Sequence, residues 1–528
     1  MNDRFRMLPS YHYEDNTDGV LLKSVGKPLR DYLIKGNSIQ DGTPSLDNPI
    51  EIESVGELTK NIRRADIALY SSGSSYEQYG NGFKATAKIN TGGYSNYVRD
   101  AVLLDFEWGK TYTFSCFFEQ SVENMNPLMR VGYIQNTNGS WKDFKSQTTV
   151  NNSVNSITVT LPTEKPPYFG ENESGTWGSS SIMLFFNIQR NALDDYGTIY
   201  VTDIMVNEGD TALPYEPPEK YKNSITVGGK NLWSFGDLEF TKYKEITFSP
   251  PLPAGDYIFT ADVVSTDTDS SNRFLRFNDV DGNKLGSTYF EDKKKNICHI
   301  TTNTDITTLL LYASDNYNNG ANDICTYSNV QLECGSIATS YEPYREPITT
   351  NIYLDEPLRR TTTGNYADYI DYRNSKVVRK IGYYIFKGTE GIAVPGSTIT
   401  GHTPFRFLDI SEARQPFMCN YLPYVASDYG SINSNPRECL AKYSTGNQMF
   451  FIVSNDRVPL NDTKSFKQLL SDLYQNNTPL IVYYVKANYS EESIELPEIL
   501  TQKGTNIISI GTEIQPYAVS YQYYKGGN

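Results

Sequence analysis

The chain has 528 residues, a formal net charge of −15 and a pI near 4.9. That length holds roughly three or four domains, and the acidity excludes a nucleic-acid binder, which needs clustered Lys and Arg. With 41 Tyr against only 3 His, the composition favours strands and leaves little for His-based catalysis.

Residues 1–58 form an entry or attachment segment. Within it Gln40-Asp41-Gly42-Thr43-Pro44 and Asp47-Asn48-Pro49 are turn signals between short alternating apolar runs. Its start, MNDRFRMLPSYHYED, lacks the apolar core of a signal peptide. No stretch of the chain approaches the ~20 apolar residues of a membrane span.

A first module covers 59–221, with strand signals at Phe83–Ile89, Tyr112–Phe118, Ile157-Val159-Leu161, Ile182–Phe186 and Ile199–Val206. Cys116 alternates with Tyr112, Phe114 and Phe118 and is expected to act as a small core hydrophobe. The six Cys have neither CxxC spacing nor disulfide density. A second module covers 222–347, and a β-rich third region covers 348–528. That region holds one helix near 463–475, where Asp462 or Thr463 can cap and Phe466, Leu469, Leu470 and Leu473 recur at helical spacing. Thr478-Pro479 lies just past its end.

The two modules are copies of one unit. Asp203 to Pro218, DIMVNEGDTALPYEPP, matches Asn329 to Tyr344, NVQLECGSIATSYEPY, without a gap. Ile204 and Val206 are answered by Val330 and Leu332, Gly209 by Gly335, and Tyr215-Glu216-Pro217 by Tyr341-Glu342-Pro343. This is the pattern of a last strand followed by an extended exit, with Tyr215 and Tyr341 expected to pack under each module's end. Tyr112 with Tyr257 gives an offset of 145 and Gly209 with Gly335 gives 126, so the first module carries a net insertion of 145 − 126 = 19 residues after its Tyr112 strand. Short strands with turns between them predict tandem antiparallel β-sandwiches of jelly-roll type.

Several stretches resemble minor structural proteins of phage tails and prophages. They are Gly36-Asn37-Ser38-Ile39-Gln40-Asp41-Gly42-Thr43-Pro44 with Asp47-Asn48-Pro49, Gly229-Lys230-Asn231-Leu232, and both Tyr-Glu-Pro exits. Tyr366-Ala367-Asp368-Tyr369-Ile370-Asp371 with Lys376-Val377 and the run from Glu495-Leu496-Pro497 to Glu513-Ile514-Gln515-Pro516 complete the ordered set. The resemblance implies carbohydrate-binding-module-like jelly rolls in a virion component of the tail tip, baseplate or fibre. It implies other virion proteins as partners, a homotrimer of fibre type, and assembly in the host cytoplasm.

The chain shows no HExxH, Walker loop or paired-His metal spacing, and none of the three histidines sits in a catalytic motif. We expect a non-enzyme without a cofactor. Two acidic clusters could hold a structural calcium: Asp194-Asp195, and Asp279-Val280-Asp281-Gly282-Asn283, which a hairpin turn explains better. Sugar binding needs an aromatic face beside polar groups. Trp141 and Trp177 each lie among turn residues inside the span with the extra residues, and are the candidate glycan contacts; Trp108 and Trp233 fit a core. The expected function is a tail adhesin for a host-surface glycan, against two alternatives: a purely structural virion piece and a cell-surface polysaccharide-degrading enzyme.

Overall fold

The computed structural model describes residues 6–7, 19–25, 32–54, 56–63, 69–72, 74–87, 97–103, 106–121, 127–135, 140–166, 169, 181–188, 197–266, 273–290, 294–313, 324–361, 366–395, 399–408, 413–442, 448–499, 503–510 and 514–516. They are mostly β and almost all antiparallel, with one α-helix and one short 3-10 helix. Among them no helix is long and apolar enough to cross a membrane. The chain divides into two compact units, residues 56–223 with 353–357, and residues 1–55, 224–352 and 358–528.

The first unit contains a β-sandwich. One sheet has the order Ser153–Thr160, Thr111–Gln120, Thr198–Glu208, Gly82–Ala87, Ser74–Tyr79, and the facing sheet Ser140–Thr148, Leu128–Gln135, Ile182–Asn187, Tyr97–Leu103, Leu69–Ser72. Alternation puts Tyr112, Phe114, Cys116, Phe118, Ile157 and Val159 inward from one sheet, against Val98, Met129, Val131, Leu184 and Phe186 from the other. Val201 and Ile204 are three apart yet both face in. Asp203 has φ of 52°, and the register with Thr111–Gln120 breaks between Ser115 and Phe117, so a bulge restores the parity.

The second sandwich repeats this order over four strands of each sheet; among the described residues it has no counterpart of Ser74–Tyr79 or Leu69–Ser72. Lys294–Thr302, Gly255–Ser265, Ile324–Cys334 and Leu238–Thr241 form one sheet; Lys284–Phe290, Arg273–Asn278, Ile306–Tyr312 and Tyr243–Leu252 form the other. Asn329, with φ of 47°, repeats the Asp203 bulge, and Gly335 (φ 119°) repeats Gly209 (φ 105°). Of the 19 residues inserted after the Tyr112 strand, almost all lie between Thr160 and Ile182. That connection has 182 − 160 − 1 = 21 residues, where Thr302 to Ile306 has 306 − 302 − 1 = 3.

Each sandwich is closed by a buried asparagine that ties its entry to its exit. Asn61 Nδ2 donates to the carbonyls of Ile204 (3.0 Å) and Glu216 (2.7 Å), and its Oδ1 accepts from Val206 N (3.0 Å) and Arg63 N (3.1 Å). Asn231 repeats all four bonds, to Val330 O (3.0 Å), Glu342 O (2.9 Å), Leu332 N (3.1 Å) and Trp233 N (3.0 Å). The repeated Tyr-Glu-Pro therefore serves through its Glu. Tyr341 is 40% exposed and Tyr215 half-buried, so neither is packed under the module end as the sequence suggested. The exit runs extended along the surface, held by the Glu carbonyl and by carboxylate pairs with Lys222 or with Lys230 and Arg345.

The C-terminal region pairs Ala413–Cys419, Ile481–Ser493, Lys376–Ile385, Tyr369–Asp371, Tyr32–Lys35 and Ile514–Pro516 in one sheet. Residues 32–35 thus belong structurally to the far end of the chain, and Gln40 adds a bond to Cys419 O at 2.8 Å. The buried Asp368 carboxylate accepts from Arg359 N, Lys380 N and Ile381 N, which explains the Tyr366–Asp371 motif as a structural knot. A second sheet has the order Ile392–Ala393, His402–Phe407, Met449–Ser454, Cys439–Lys442, Tyr424–Asp428; the helix Thr463–Gln475, capped by Asp462, buries Phe466 and Leu470 on it, and Phe466 stacks on Phe405 at 4.2 Å.

Candidate functional site: the outer aromatic face of the first sandwich

Strands that turn Met129, Val131, Leu184 and Phe186 to the core must turn Arg130, Met183 and Phe185 the other way. Neighbouring strands add Tyr97 and Arg99 on one side and Ile134, Trp141 and Asp143 on the other. The outward face is therefore apolar where a solvated sheet would carry Ser or Thr. Met183 and Ile134 are buried with Trp141 in a cluster separate from the main core.

Three aromatic rings run across this face. Tyr97 stacks on Phe185 with centroids 4.7 Å apart and an interplanar angle of 25°, and Trp141 meets Phe185 at 4.7 Å and 37°. The Arg130 guanidinium lies 5.0 Å from the Phe185 ring and 5.7 Å from that of Trp141, and Arg99 lies 5.7 Å from Tyr97. Arg130 grips Asp143 with two bonds, 2.9 Å from Nε and 2.6 Å from the terminal nitrogen. Asp143 also accepts from the indole N–H of Trp141. One carboxylate thus fixes both the guanidinium and the indole. Gly132 lies beneath: a Cβ there would meet Trp141 Cζ2 at 2.9 Å and Lys142 O at 2.0 Å. Only glycine lets the indole settle over the strand.

Trp141, Tyr97 and Arg130 are each half-buried and Asp143 is exposed. Centroids 4.7 Å apart at 25° and 37° mean rings stacked face against face, so the arrangement is a stiff aromatic stack with Phe185 inside it at 5% exposure, rimmed by one donor fork and one carboxylate. It can stack the C–H face of a sugar ring and hydrogen-bond its hydroxyls. It contains no nucleophile–base pair.

Trp141 is thus placed on this face, though not as the sequence suggested. It sits in the strand Ser140–Thr148 rather than a loop, and that strand has a counterpart in Lys284–Phe290, so Trp141 lies outside the 21-residue connection. Trp177, Asp194 and Asp195 lie outside the described residues. Asp279 and Asp281 lie in a hairpin: the Asp279 carboxylate accepts from Asp281 N (3.0 Å), Asn283 N (2.8 Å) and Asn283 Nδ2 (3.0 Å). Among the described residues no group of three His, Cys, Asp or Glu side chains could hold a metal ion. Trp233 is a core residue at 1% exposure, while Trp108 packs partly buried with Phe106 and Phe169. Burial pushes the thiols of Cys298 and Cys419 up to about 12.

Sequence reasoning missed Tyr97, Arg99, Arg130, Asp143 and Phe185. The signal was Ile182-Met183-Leu184-Phe185-Phe186, an unbroken apolar run in an otherwise alternating protein, which marks a strand covered on both faces.

No protein-family model matches the chain, and no curated protein matches it. Among solved structures it is similar to the CBM22-1–CBM22-2 tandem domain of Paenibacillus barcinonensis Xyn10C, at 8% identity over 57% of this chain and 98% of that one, with a TM-score of 0.21. It is also similar to the structure of Broad Bean Stain Virus, at 10% identity over 60% and 94% with a TM-score of 0.15. The VP2 subviral particle of infectious bursal disease virus matches at 7% identity over 90% and 83%, with a TM-score of 0.11. Likenesses this distant carry no argument about what the chain does.

Proposed function

We propose that the protein is a non-enzymatic virion component of a phage tail, baseplate or fibre that adheres to a host-surface glycan through its first sandwich. The observation that carries this reading is the outward stack of Tyr97, Phe185 and Trp141, whose two half-buried outer rings stand beside Arg130 and Asp143. A solvated sheet face has no use for three packed rings, whereas a sugar ring needs a flat apolar surface with polar groups at its edge. The tail setting rests on the ordered sequence motifs alone. A single shallow face binds weakly, so the reading includes a homotrimer that turns weak sites into avid attachment.

The test is Trp141→Ala in the full chain, measured against an array of bacterial surface polysaccharides. Trp141 covers the buried Ile134 and Met183, so the variant should melt earlier than the parent; read well below that transition, its binding should weaken by about tenfold or more, equivalent to ~1.4 kcal/mol. Unchanged binding in a folded variant removes the first sandwich as the binding site, and no binding by the parent to any array member sinks the adhesin reading. Release of reducing ends from any array member would favour a degrading enzyme instead.

A further inference from the structure

The second sandwich repeats the frame of the first, and its corresponding outer face carries an aromatic row of its own. Tyr243 pairs in register with Tyr312, Tyr312 with Phe274, and Phe274 with Tyr289, so four aromatic positions cross all four strands at one level. The rings of Tyr243 and Tyr312 stand 6.2 Å apart at 30°. Tyr243 is 45% and Tyr289 60% exposed, far more than a core role needs. The adjacent level holds Glu245, Leu310, Arg276 and Ser287. Arg276 occupies the position of Arg130, each paired with an outward apolar residue on one side and a serine on the other: Leu310 and Ser287, Phe185 and Ser146. Its guanidinium is aimed by bonds to Asn278 Oδ1 (2.5 Å) and Gly282 O (2.8 Å).

We propose that this face is a second glycan-binding surface, taking an uncharged polysaccharide strand laid across the four strands. The inference rests on the adhesin reading of the protein. Strands lie ~4.8 Å apart, so the row spans about 14 Å, the length of about three linked sugar rings. Among the described residues the adjacent level carries one cation, Arg276, and one anion, Glu245, which suits a neutral occupant rich in hydroxyls.

The test uses the full chain in native gels cast with soluble β-glucan, xylan, mannan or dextran, comparing Trp141→Ala, the double variant Tyr243→Ala/Tyr289→Ala, and all three changes together. Both tyrosines are exposed, so the double variant should melt like the parent. If it melts early, Tyr289→Ser alone gives the same readout. The expected result is retardation of the parent in at least one gel, binding about tenfold weaker for the double variant, and none for the triple. A double variant retarded like the parent, while Trp141→Ala is not, overturns this inference and leaves the first site standing. The reverse pattern supports the second face and removes the first. A parent that no gel retards overturns both. A double variant whose mass falls by light scattering, with retardation unchanged, makes the face a self-interface and overturns the proposal.

Discussion

Replacing Asn231 with alanine would measure the latch that defines each sandwich. The side chain is 2% exposed and makes four hydrogen bonds, two donated and two accepted. Each such bond contributes about 0.5–1.5 kcal/mol net, and a buried group left without a partner costs more than its bond was worth. Alanine leaves the Trp233 and Leu332 N–H groups and the Val330 and Glu342 carbonyls without this partner at once, so the loss should be about 4 kcal/mol, less whatever an entering water recovers. For a sandwich of this size 1 kcal/mol moves the melting temperature by about 4 °C, so the expected fall is about 15 °C. Calorimetry of the full chain is the assay, because the two compact units need not melt together. Asn61→Ala should lower the transition of the other unit by a similar amount. Asn231→Asp should not rescue, since it keeps the acceptor but places a carboxylate against two carbonyls. A shift below about 4 °C, or about 1 kcal/mol, would refute the argument that the buried asparagine latches each sandwich's entry to its exit.

Two further outcomes follow from the same unit. Gly132→Ala should destabilise the first sandwich by about 1–3 kcal/mol and alter Trp141 fluorescence, because the new Cβ meets Lys142 O at 2.0 Å; an unchanged spectrum and urea midpoint would count against the close packing of the indole. Glu216 should make the first unit acid-sensitive. Burial alone would raise its pKa, but the Lys222 ammonium and the Lys60 N–H outweigh it and hold the group below its ordinary value of 4.5. An acid depressed in this way contributes stability above the ordinary carboxylate range and loses it as pH falls through its folded pKa. Lys222, raised above 10.5 mainly by its bond to Glu216, contributes below that value and fades at higher pH. Stability should be flat between about pH 5 and 10, and Glu216→Gln should flatten the acid limb; an acid limb unchanged in that variant would show that the carboxylate is not its source.

The frame was legible because its signals are local. Period-two alternation located Thr111–Gln120, Ser153–Thr160 and Thr198–Glu208, and helical spacing with Asp462 located Thr463–Gln475. The ungapped repeat carries the bulge and its exit, so the kinship of the two sandwiches was visible too. What the sequence hid depends on contacts between distant residues. The Asn61–Glu216 latch joins positions 155 apart, and Gly229-Lys230-Asn231-Leu232 reads as a motif only once Lys60-Asn61-Ile62 is seen to do the same job. Tyr32–Lys35 pairs with Tyr369–Asp371, which no local pattern announces. Trp141 was noticed for its turn-like neighbours, whereas its surroundings are Phe185, Arg130 and Asp143, brought beside it by strand order.

The two outer faces show where the duplicated unit was free to change. Inward positions must fill one closed volume, and the latch must find the same backbone groups, so Tyr112 and Tyr257, Val206 and Leu332, and Asn61 and Asn231 hold matching places in both sandwiches. An outward side chain has no such partner to satisfy. There the arginine is retained at 130 and 276, while its neighbours differ: Phe185 stands where the second unit has Leu310, and Arg99 where it has Glu245. The first face packs its rings into a stack with Phe185 at 5% exposure, and the second leaves Tyr289 at 60%. Both keep flat rings beside a fixed guanidinium, which packing alone does not require. Shared chemistry on positions that the fold leaves unconstrained is the physical ground for assigning these faces, rather than the sandwich cores, to ligand contact.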